Sequence, residues 1–329
     1  MPELRRNPLT DTWVVISPER ESRPTEFQTT TVHRAASCPF CPGNETATPT
    51  ALLTFQGGSA PWTLRVIPNL YPALRVEEHH ERAAHGAWDW MGGVGAHEVI
   101  IETAQHVQPT GRDRAMMAAQ TLEAVSIRLA DLSRDGRLRH ITWFRNQGAL
   151  AGATLDHPHS QILALPMVPP SVRDELARCC EHESRTGRRI IDDLVQSEIA
   201  DEVRVVVNRG RTIAFCPYAS QTPFEFWVVH RDACSHVERD SREHRDAVAR
   251  CLSECLDRLE SALPGVPWNL TLHSAPVSVG SRTDYRWHLR VLPRTQRAGG
   301  LEWGSDVHIN PTTPERAAAY LQTVPVHAE

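Results

Sequence analysis

Apolar residues recur along this chain with two periods, and the switches between them outline its elements. Trp13-Val14-Val15-Ile16-Ser17 is short and rich in β-branched residues, and it runs into a Ser-Pro pair, which predicts a strand ending in a turn. The polar stretch from there to residue 37 predicts a loop. Residues 62–67 alternate as a strand that Pro68 stops, and residues 97–102 form another. From Met116 to Leu132 the period lengthens. Met117, Thr121, Val125, Leu129 and Leu132 fall on one helical face, and Gly136 follows shortly after the end. Residues 140–146 and 159–165 then return to strand.

The second half repeats that order in looser form. Strands are predicted over 211–215 and 224–229, and a helix over 245–263 with Val248, Cys251, Leu252, Cys255, Leu256 and Leu259 on its apolar side. Strands over 268–273 and 286–292 close the pattern. Each half therefore reads strand, strand, helix, strand, histidine-bearing strand. This predicts an α+β fold of two similar units around mainly antiparallel sheet, able to merge into one continuous sheet. A helix near 171–186, opened by a Ser171 cap, joins units spanning 1–170 and 171–329.

Composition narrows the function classes. A chain of 329 residues has room for two domains and a large core. Its apolar runs all fall well short of the roughly 20 residues that cross a bilayer, and the first residues lack an apolar secretory core. A cytoplasmic protein is expected, and its eight scattered cysteines predict free thiols plus one metal site rather than a disulfide framework. The net charge of −5 offers no general basic field to a nucleic acid. An anionic small ligand needs local arginines, for which Arg20 and Arg23 are candidates.

Two segments carry candidate chemistry. In Asp156-His157-Pro158-His159-Ser160-Gln161, two imidazoles two residues apart on an extended chain face the same side, and the proline between them stiffens the backbone. One ring can bind a metal or orient its neighbour while the other acts as nucleophile or acid-base group. Cys38-Pro39-Phe40-Cys41 has the gap that lets two thiolates reach one tetrahedral ion. With no second such pair, the repeat reading offers His106 and His157 as the remaining ligands. A closed Cys2His2 zinc site of this kind is structural, and it would anchor the His-Pro-His segment from behind.

These residues stand in a wider set of motifs. Asn7-Pro8-Leu9-Thr10-Asp11-Thr12-Trp13, Ser17-Pro18-Glu19-Arg20 and Arg23-Pro24 precede the cysteine pair. Val66-Ile67-Pro68-Asn69-Leu70-Tyr71-Pro72-Ala73-Leu74 and Gly95-Ala96-His97-Glu98-Val99-Ile100-Ile101-Glu102 follow it. Phe144-Arg145-Asn146-Gln147-Gly148 leads through Gly152-Ala153-Thr154 to His157-Pro158-His159-Ser160-Gln161, and Arg286-Trp287-His288-Leu289 and Gly300-Leu301-Glu302-Trp303-Gly304 complete the series. Nearly end to end, the chain resembles the galactose-1-phosphate uridylyltransferase family, two-fold members of the histidine-triad superfamily.

That resemblance implies two histidine-triad-like units, the first with the zinc site and nucleophile and the second contributing to the sugar site. It implies a homodimer acting on a UDP-sugar and a hexose 1-phosphate by a ping-pong reaction. His159 is then the nucleophile that takes UMP from UDP-glucose and passes it to galactose 1-phosphate. A neutral imidazole nitrogen suits that task, because its phosphoramidate is reactive enough to be discharged again. Gln161 stands where histidine-triad hydrolases carry a third histidine. An amide there can donate to a phosphoryl oxygen without supplying a proton, which favours transfer over hydrolysis. By the same resemblance Asn69 and Tyr71 contact the base and ribose, while Asn146, Gly152 and Thr154 line the phosphates. Arg20 and Arg23 add positive charge, and Glu302 contacts a sugar hydroxyl.

One departure stands out. Some family members hold a second metal with a glutamate and three histidines; Glu175, His273 and His288 fall at matching places, but the fourth position is Arg290. A guanidinium repels a divalent ion, so the second site is expected to be absent or much weaker, replaced by a Glu175–Arg290 ion pair. Sugar and base stay open, and relatives with the same nucleophile motif transfer adenylyl groups or use phosphate as acceptor. A zinc-stabilised nucleotide-binding protein without chemistry is the alternative of another class, against which the joint presence of His159 and Gln161 counts.

Overall fold

The computed structural model describes residues 2–22, 38–58 and 61–325. In chain order its strands and helices begin with β1 (Glu3–Arg6), β2 (Trp13–Ile16), β3 (Leu53–Phe55), β4 (Leu64–Pro68), β5 (Arg82–His85), β6 (Trp88–Met91) and β7 (Ala96–Ile101). Helix α1 (Gly111–Leu132) separates these from β8 (His140–Gln147) and β9 (His159–Leu165), and α2 (Pro170–Thr186) and α3 (Ile190–Asp201) follow. The rest comprises β10 (Val205–Arg209), β11 (Thr212–Phe215), β12 (Phe226–His230), α4 (Arg242–Ala262), β13 (Trp268–His273), β14 (His288–Pro293), α5 (Gly300–Ser305), β15 (His308–Asn310) and α6 (Pro314–Thr323).

Ten strands form one sheet in the order β3-β4-β7-β9-β8-β13-β14-β12-β11-β10. Every pairing in it is antiparallel. Counted from either edge inward, each half places its strands first, second, third, fifth, fourth, with the long helix between its third and fourth strands. The topology is thus an internal repeat, and its seam is the β8–β13 pairing, where Asn146 lies opposite Asn269. The fold is α+β, as the periodicity predicts. The sequence reading lacks the outer strand of each half, β3 and β10, because three to five residues at a sheet edge carry little pattern.

One face of the sheet packs on α1 and α4. Leu122, Val125 and Leu129 meet Val248, Leu252, Leu256 and Leu259 above Ile141, Ile162, Leu270 and Leu289 in a single core. Arg114 and Asp257 bridge the two helices with a buried ion pair at 3.2 Å. The opposite face is covered in two parts. Leu176, Cys179, Ile191 and Val195 of α2 and α3 lie over Ile213, Phe215 and Trp227 in the second half. In the first half Cys38, Phe40 and Trp62 lie over Ile67, Val99 and Ile101.

A separate small sheet joins the ends of the chain: β2 pairs with β1 antiparallel and with β15 parallel. The strand expected over 13–17 belongs here and not to the main sheet. Helix α2 starts at Pro170 with Pro169 as its cap residue, so Ser171 lies inside the first turn and makes no cap. Proline at the first helical position presets the backbone angle and needs no amide partner, which replaces the expected serine cap. No helix among the described residues is long and apolar enough to cross a membrane.

Leu122 is fully buried between α1 and the sheet. Leu122→Ala is expected to lower the unfolding free energy by about 2–5 kcal/mol, measured by denaturant titration. A loss within experimental error would show that the helical face contributes little to the core.

Candidate active site

Strand β9 lies between β7 and β8, and its alternation divides labour by face. Ile162 and Ala164 enter the core under α1, whereas His159 and Gln161 pair with Ile101 and Val99 on the opposite face. His157, two residues earlier, precedes the strand and is fully buried.

The three side chains are held differently. His159 Nδ1–H donates to the His157 carbonyl at 2.8 Å, which leaves Nε2 with its lone pair free. Only 8% of this residue is exposed. Burial pushes its pKa down, and the bond to the carbonyl pulls the other way, so the ring is neutral near pH 7. The Phe40 ring stands edge-on to it with centroids 5.5 Å apart. Close by in the same sheet, Arg145 and Glu102 form a buried pair at 2.5 Å, and the Glu102 amide bonds the Pro158 carbonyl.

Behind the strand the four expected metal ligands meet. Cys38, Cys41, His106 and His157 offer ligand atoms that all lie within 4.8 Å of one another. Nδ1 of His157 is 3.7 Å from Cys38 Sγ and 3.6 Å from Cys41 Sγ, and Nδ1 of His106 is 3.4 Å from Cys41 Sγ. A tetrahedral zinc with its usual bond lengths separates sulfur and nitrogen ligands by roughly 3.6 Å, so the residues fit such an ion. His157 Nε2–H donates to the Thr103 carbonyl at 2.8 Å, which turns the Nδ1 lone pair toward the thiols.

The expected substrate contacts fall into two groups. Asn146 and Gly152 adjoin each other: a Cβ on Gly152, whose φ is +90°, would sit 3.5 Å from Asn146 Nδ2. Asn269 Nδ2 donates to both Asn146 Oδ1 and the Ala151 carbonyl at 2.8 Å, so the Asn146 NH2 faces outward as a donor. Gln161 Oε1 and Asn69 Nδ2 both contact His97 Nε2, at 2.8 and 3.2 Å. Tyr71 is 84% exposed beside Asn69, and Thr154 is exposed after the glycine turn. Among the described residues, Arg20 and Glu302 are not joined to this group by hydrogen bonds. Arg20 is exposed on the turn after β2, and Glu302 accepts from the Gly299 amide at the start of α5, so both attach to the small sheet. Arg23 lies outside the described residues. Sequence reading passed over His97 and Asn269, whose signal is the register that sets them beside Gln161 and Asn146.

The second half repeats the imidazole arrangement and then closes it. His288 Nδ1–H donates to the Arg286 carbonyl, two residues back, as His159 does to His157. Two residues on, where the first half has Gln161, Arg290 Nε donates to His288 Nε2 at 3.0 Å and Nη2 bonds Glu175 at 2.9 Å. The expected ion pair is present. Tyr285 donates to the other Glu175 oxygen, and Trp227 lies under the guanidinium at 4.2 Å. Ligand atoms of Glu175, His273 and His288 are near enough together to hold a cation, and the guanidinium engages two of these three side chains.

Residues 1–169 match the family model for the N-terminal domain of galactose-1-phosphate uridyl transferase. An Arabidopsis thaliana ADP-glucose phosphorylase is 31% identical over 98% of this chain and 93% of its own length. The chain belongs to the galactose-1-phosphate uridylyltransferase family. By that membership it is an enzyme of the nucleotidyltransferase class. A family member from Thermotoga maritima, a galactose-1-phosphate uridylyltransferase, is 25% identical over 99% of both chains. The fold agrees with that of the Arabidopsis ADP-glucose phosphorylase solved with bound ADP-glucose, at TM-score 0.84 and 30% identity over 99% of each chain. A solved uridylyltransferase aligns at TM-score 0.76 and 26% identity over 98% of this chain and 97% of its own.

Removing the Arg290 head group leaves Glu175 buried without its cation. Arg290→Met is expected to cost about 3–5 kcal/mol of unfolding free energy in denaturant titration. An unchanged midpoint would mean that the pair does not support the second half.

Proposed function

We propose that the enzyme works by ping-pong nucleotidyl transfer through His159. Nε2 attacks the α-phosphorus of a nucleotide sugar, the bond from that phosphorus to the bridging oxygen breaks, and the sugar 1-phosphate leaves. A phosphate oxygen of the acceptor then attacks the same phosphorus, the P–N bond breaks, and the imidazole is restored. The observation that carries this reading is the His159 Nδ1–H bond to the His157 carbonyl, which fixes the tautomer with Nε2 as the free nucleophile. Gln161 and Asn146, each with its amide oxygen already bonded, supply NH2 donors to the phosphoryl oxygens.

Cys38, Cys41, His106 and His157 would hold a zinc ion that would supply rigidity, tying the cysteine loop to the residue whose carbonyl orients His159. Four protein ligands leave no open position for a substrate. The unit 1–170 then carries the chemistry, and 171–329 contributes Asn269 from beneath and the sugar-facing segment with Glu302. Arg20 and Arg23 complete the phosphate charge. Exposed Leu70, Trp88 and Trp90 are large apolar side chains that a homodimer, as the family resemblance implies, could cover.

The family model and the Thermotoga relative support uridylyl transfer with galactose 1-phosphate as acceptor, for which UDP-glucose is the donor in this reading. A second reading, an ADP-sugar split by inorganic phosphate, is favoured by the higher identity and structural agreement with the Arabidopsis ADP-glucose phosphorylase.

Incubation with UDP-glucose or ADP-glucose and no acceptor, followed by intact-mass measurement, is expected to give an acid-labile nucleoside monophosphate adduct that His159→Ala abolishes. The adduct mass names the base, and discharge by galactose 1-phosphate or by phosphate names the acceptor. No adduct from any nucleotide sugar would overturn the covalent mechanism. Metal analysis is expected to find one zinc per chain, lost in Cys38→Ser; two metals per chain would refute the role given to Arg290.

A further inference from the structure

His97 lies on β7 opposite Leu163 and shares a face with Val99, and hence with Gln161 and His159 on the neighbouring strand. It appears in none of the roles above, yet its ring is the meeting point of two separate parts of the site. On one side the Ala73 amide N–H points at Nδ1, 3.1 Å away. An amide can only donate, so Nδ1 carries a lone pair and the proton of the neutral ring is on Nε2. On the other side Nε2 is 2.8 Å from Gln161 Oε1 and is therefore the donor to it.

This assignment fixes more than one ring. It sets the Gln161 amide with oxygen toward His97 and NH2 away from it. Asn69 is turned in the same sense: its Oδ1 accepts from the Tyr71 amide at 2.9 Å, and its Nδ2 lies 3.2 Å from the protonated Nε2, to which it cannot donate. Both amide groups are left with NH2 hydrogens for a ligand. The Asn69 amide N–H also bonds the His97 carbonyl, so the 69–73 turn is gripped by this one residue through backbone and side chain.

We propose that His97 is a positioning residue that holds the 69–73 turn through Nδ1 and the Gln161 amide through Nε2–H, so that Asn69 and Gln161 both present NH2 groups to the bound nucleotide. The nucleotide is the one argued under Proposed function, and this inference depends on that reading for its ligand. A single imidazole thereby couples the nucleoside end of the site to the reacting phosphorus. Seating of the base and orientation of the transferring phosphoryl group share one support.

Two isosteric variants separate the two bonds. In His97→Gln the terminal amide nitrogen reaches the place of Nε2 and can donate to Gln161, whereas nothing accepts from Ala73. In His97→Asn the side-chain oxygen reaches the place of Nδ1 and accepts from Ala73, but the donor to Gln161 is lost. His97→Gln is expected to keep the single-turnover rate of His159 loading within about threefold while weakening nucleoside monophosphate binding about tenfold, the worth of one hydrogen bond. His97→Asn is expected to keep that affinity and slow loading by about tenfold or more, less than outright loss of an oxyanion donor. His97→Leu loses both. Equal effects of the Gln and Asn variants, or a Leu variant within twofold of the unaltered enzyme, would overturn the proposal.

A readout without turnover keeps this distinct from the transferase reading. Long-range 1H–15N spectra of the 15N-histidine-labelled protein, with the His97 ring assigned by its loss in His97→Gln, are expected to show a pyrrole-type Nε2 and a pyridine-type Nδ1. The reverse tautomer sinks the proposal even if adducts form. The expected tautomer, with the affinity split between the two variants, sustains it even if no adduct is seen and the transferase reading falls.

Discussion

The register of β9 between β7 and β8 is the constraint on which everything else depends. Its odd and even positions face different worlds: Ser160, Ile162 and Ala164 toward the helices, His159 and Gln161 toward the cysteine loop and the turn at Asn69. A slip of one residue would turn His159 under the helices and Ile162 to the other face. The core therefore enforces the placement of His159 and Gln161. The apolar cost of misregister is borne by Ile162 and Ala164, so His159 and Gln161 need make no packing contribution of their own to be placed.

The repeat gives this arrangement a second copy with a different fate. Both halves end in a strand whose leading imidazole bonds the carbonyl two residues back. In the first half the residue two further on is a glutamine that leaves Nε2 free. In the second it is an arginine that takes the Nε2 lone pair and neutralises Glu175 at the same time. One position, occupied by Gln161 or Arg290, decides whether the duplicated imidazole keeps a free Nε2 lone pair or is tied down as a strut. The halves are still not independent, because Asn269 of the second sets the amide of Asn146 in the first across the seam.

Much of this was legible in the chain. The long helices and the inner strands follow from periodicity, because each buries a continuous apolar stripe. The cysteine pair with His106 and His157 follows from spacing combined with the repeat, and the Glu175–Arg290 pair from the family resemblance, in which Arg290 replaces a metal-ligating histidine. The edge strands β3 and β10, the short helices α3, α5 and α6, and the proline cap of α2 did not emerge, since their definition comes from neighbours rather than from an internal pattern. His97 and Asn269 were illegible for a related reason. A histidine or asparagine on a strand looks alike whether it faces solvent or another side chain's amide, and only the register across strands tells which.

The Arg290 guanidinium between Glu175 and His288 also bears on how the molecule is assembled. A bound cation must be acquired after synthesis and can be withdrawn by chelation or scarcity. One written into the sequence arrives with the chain, in fixed proportion to it, and is as permanent as the backbone. The positive charge beside Glu175 therefore arrives with the chain itself, whereas the zinc proposed for the cysteine and histidine cluster behind His159 would have to be supplied from outside.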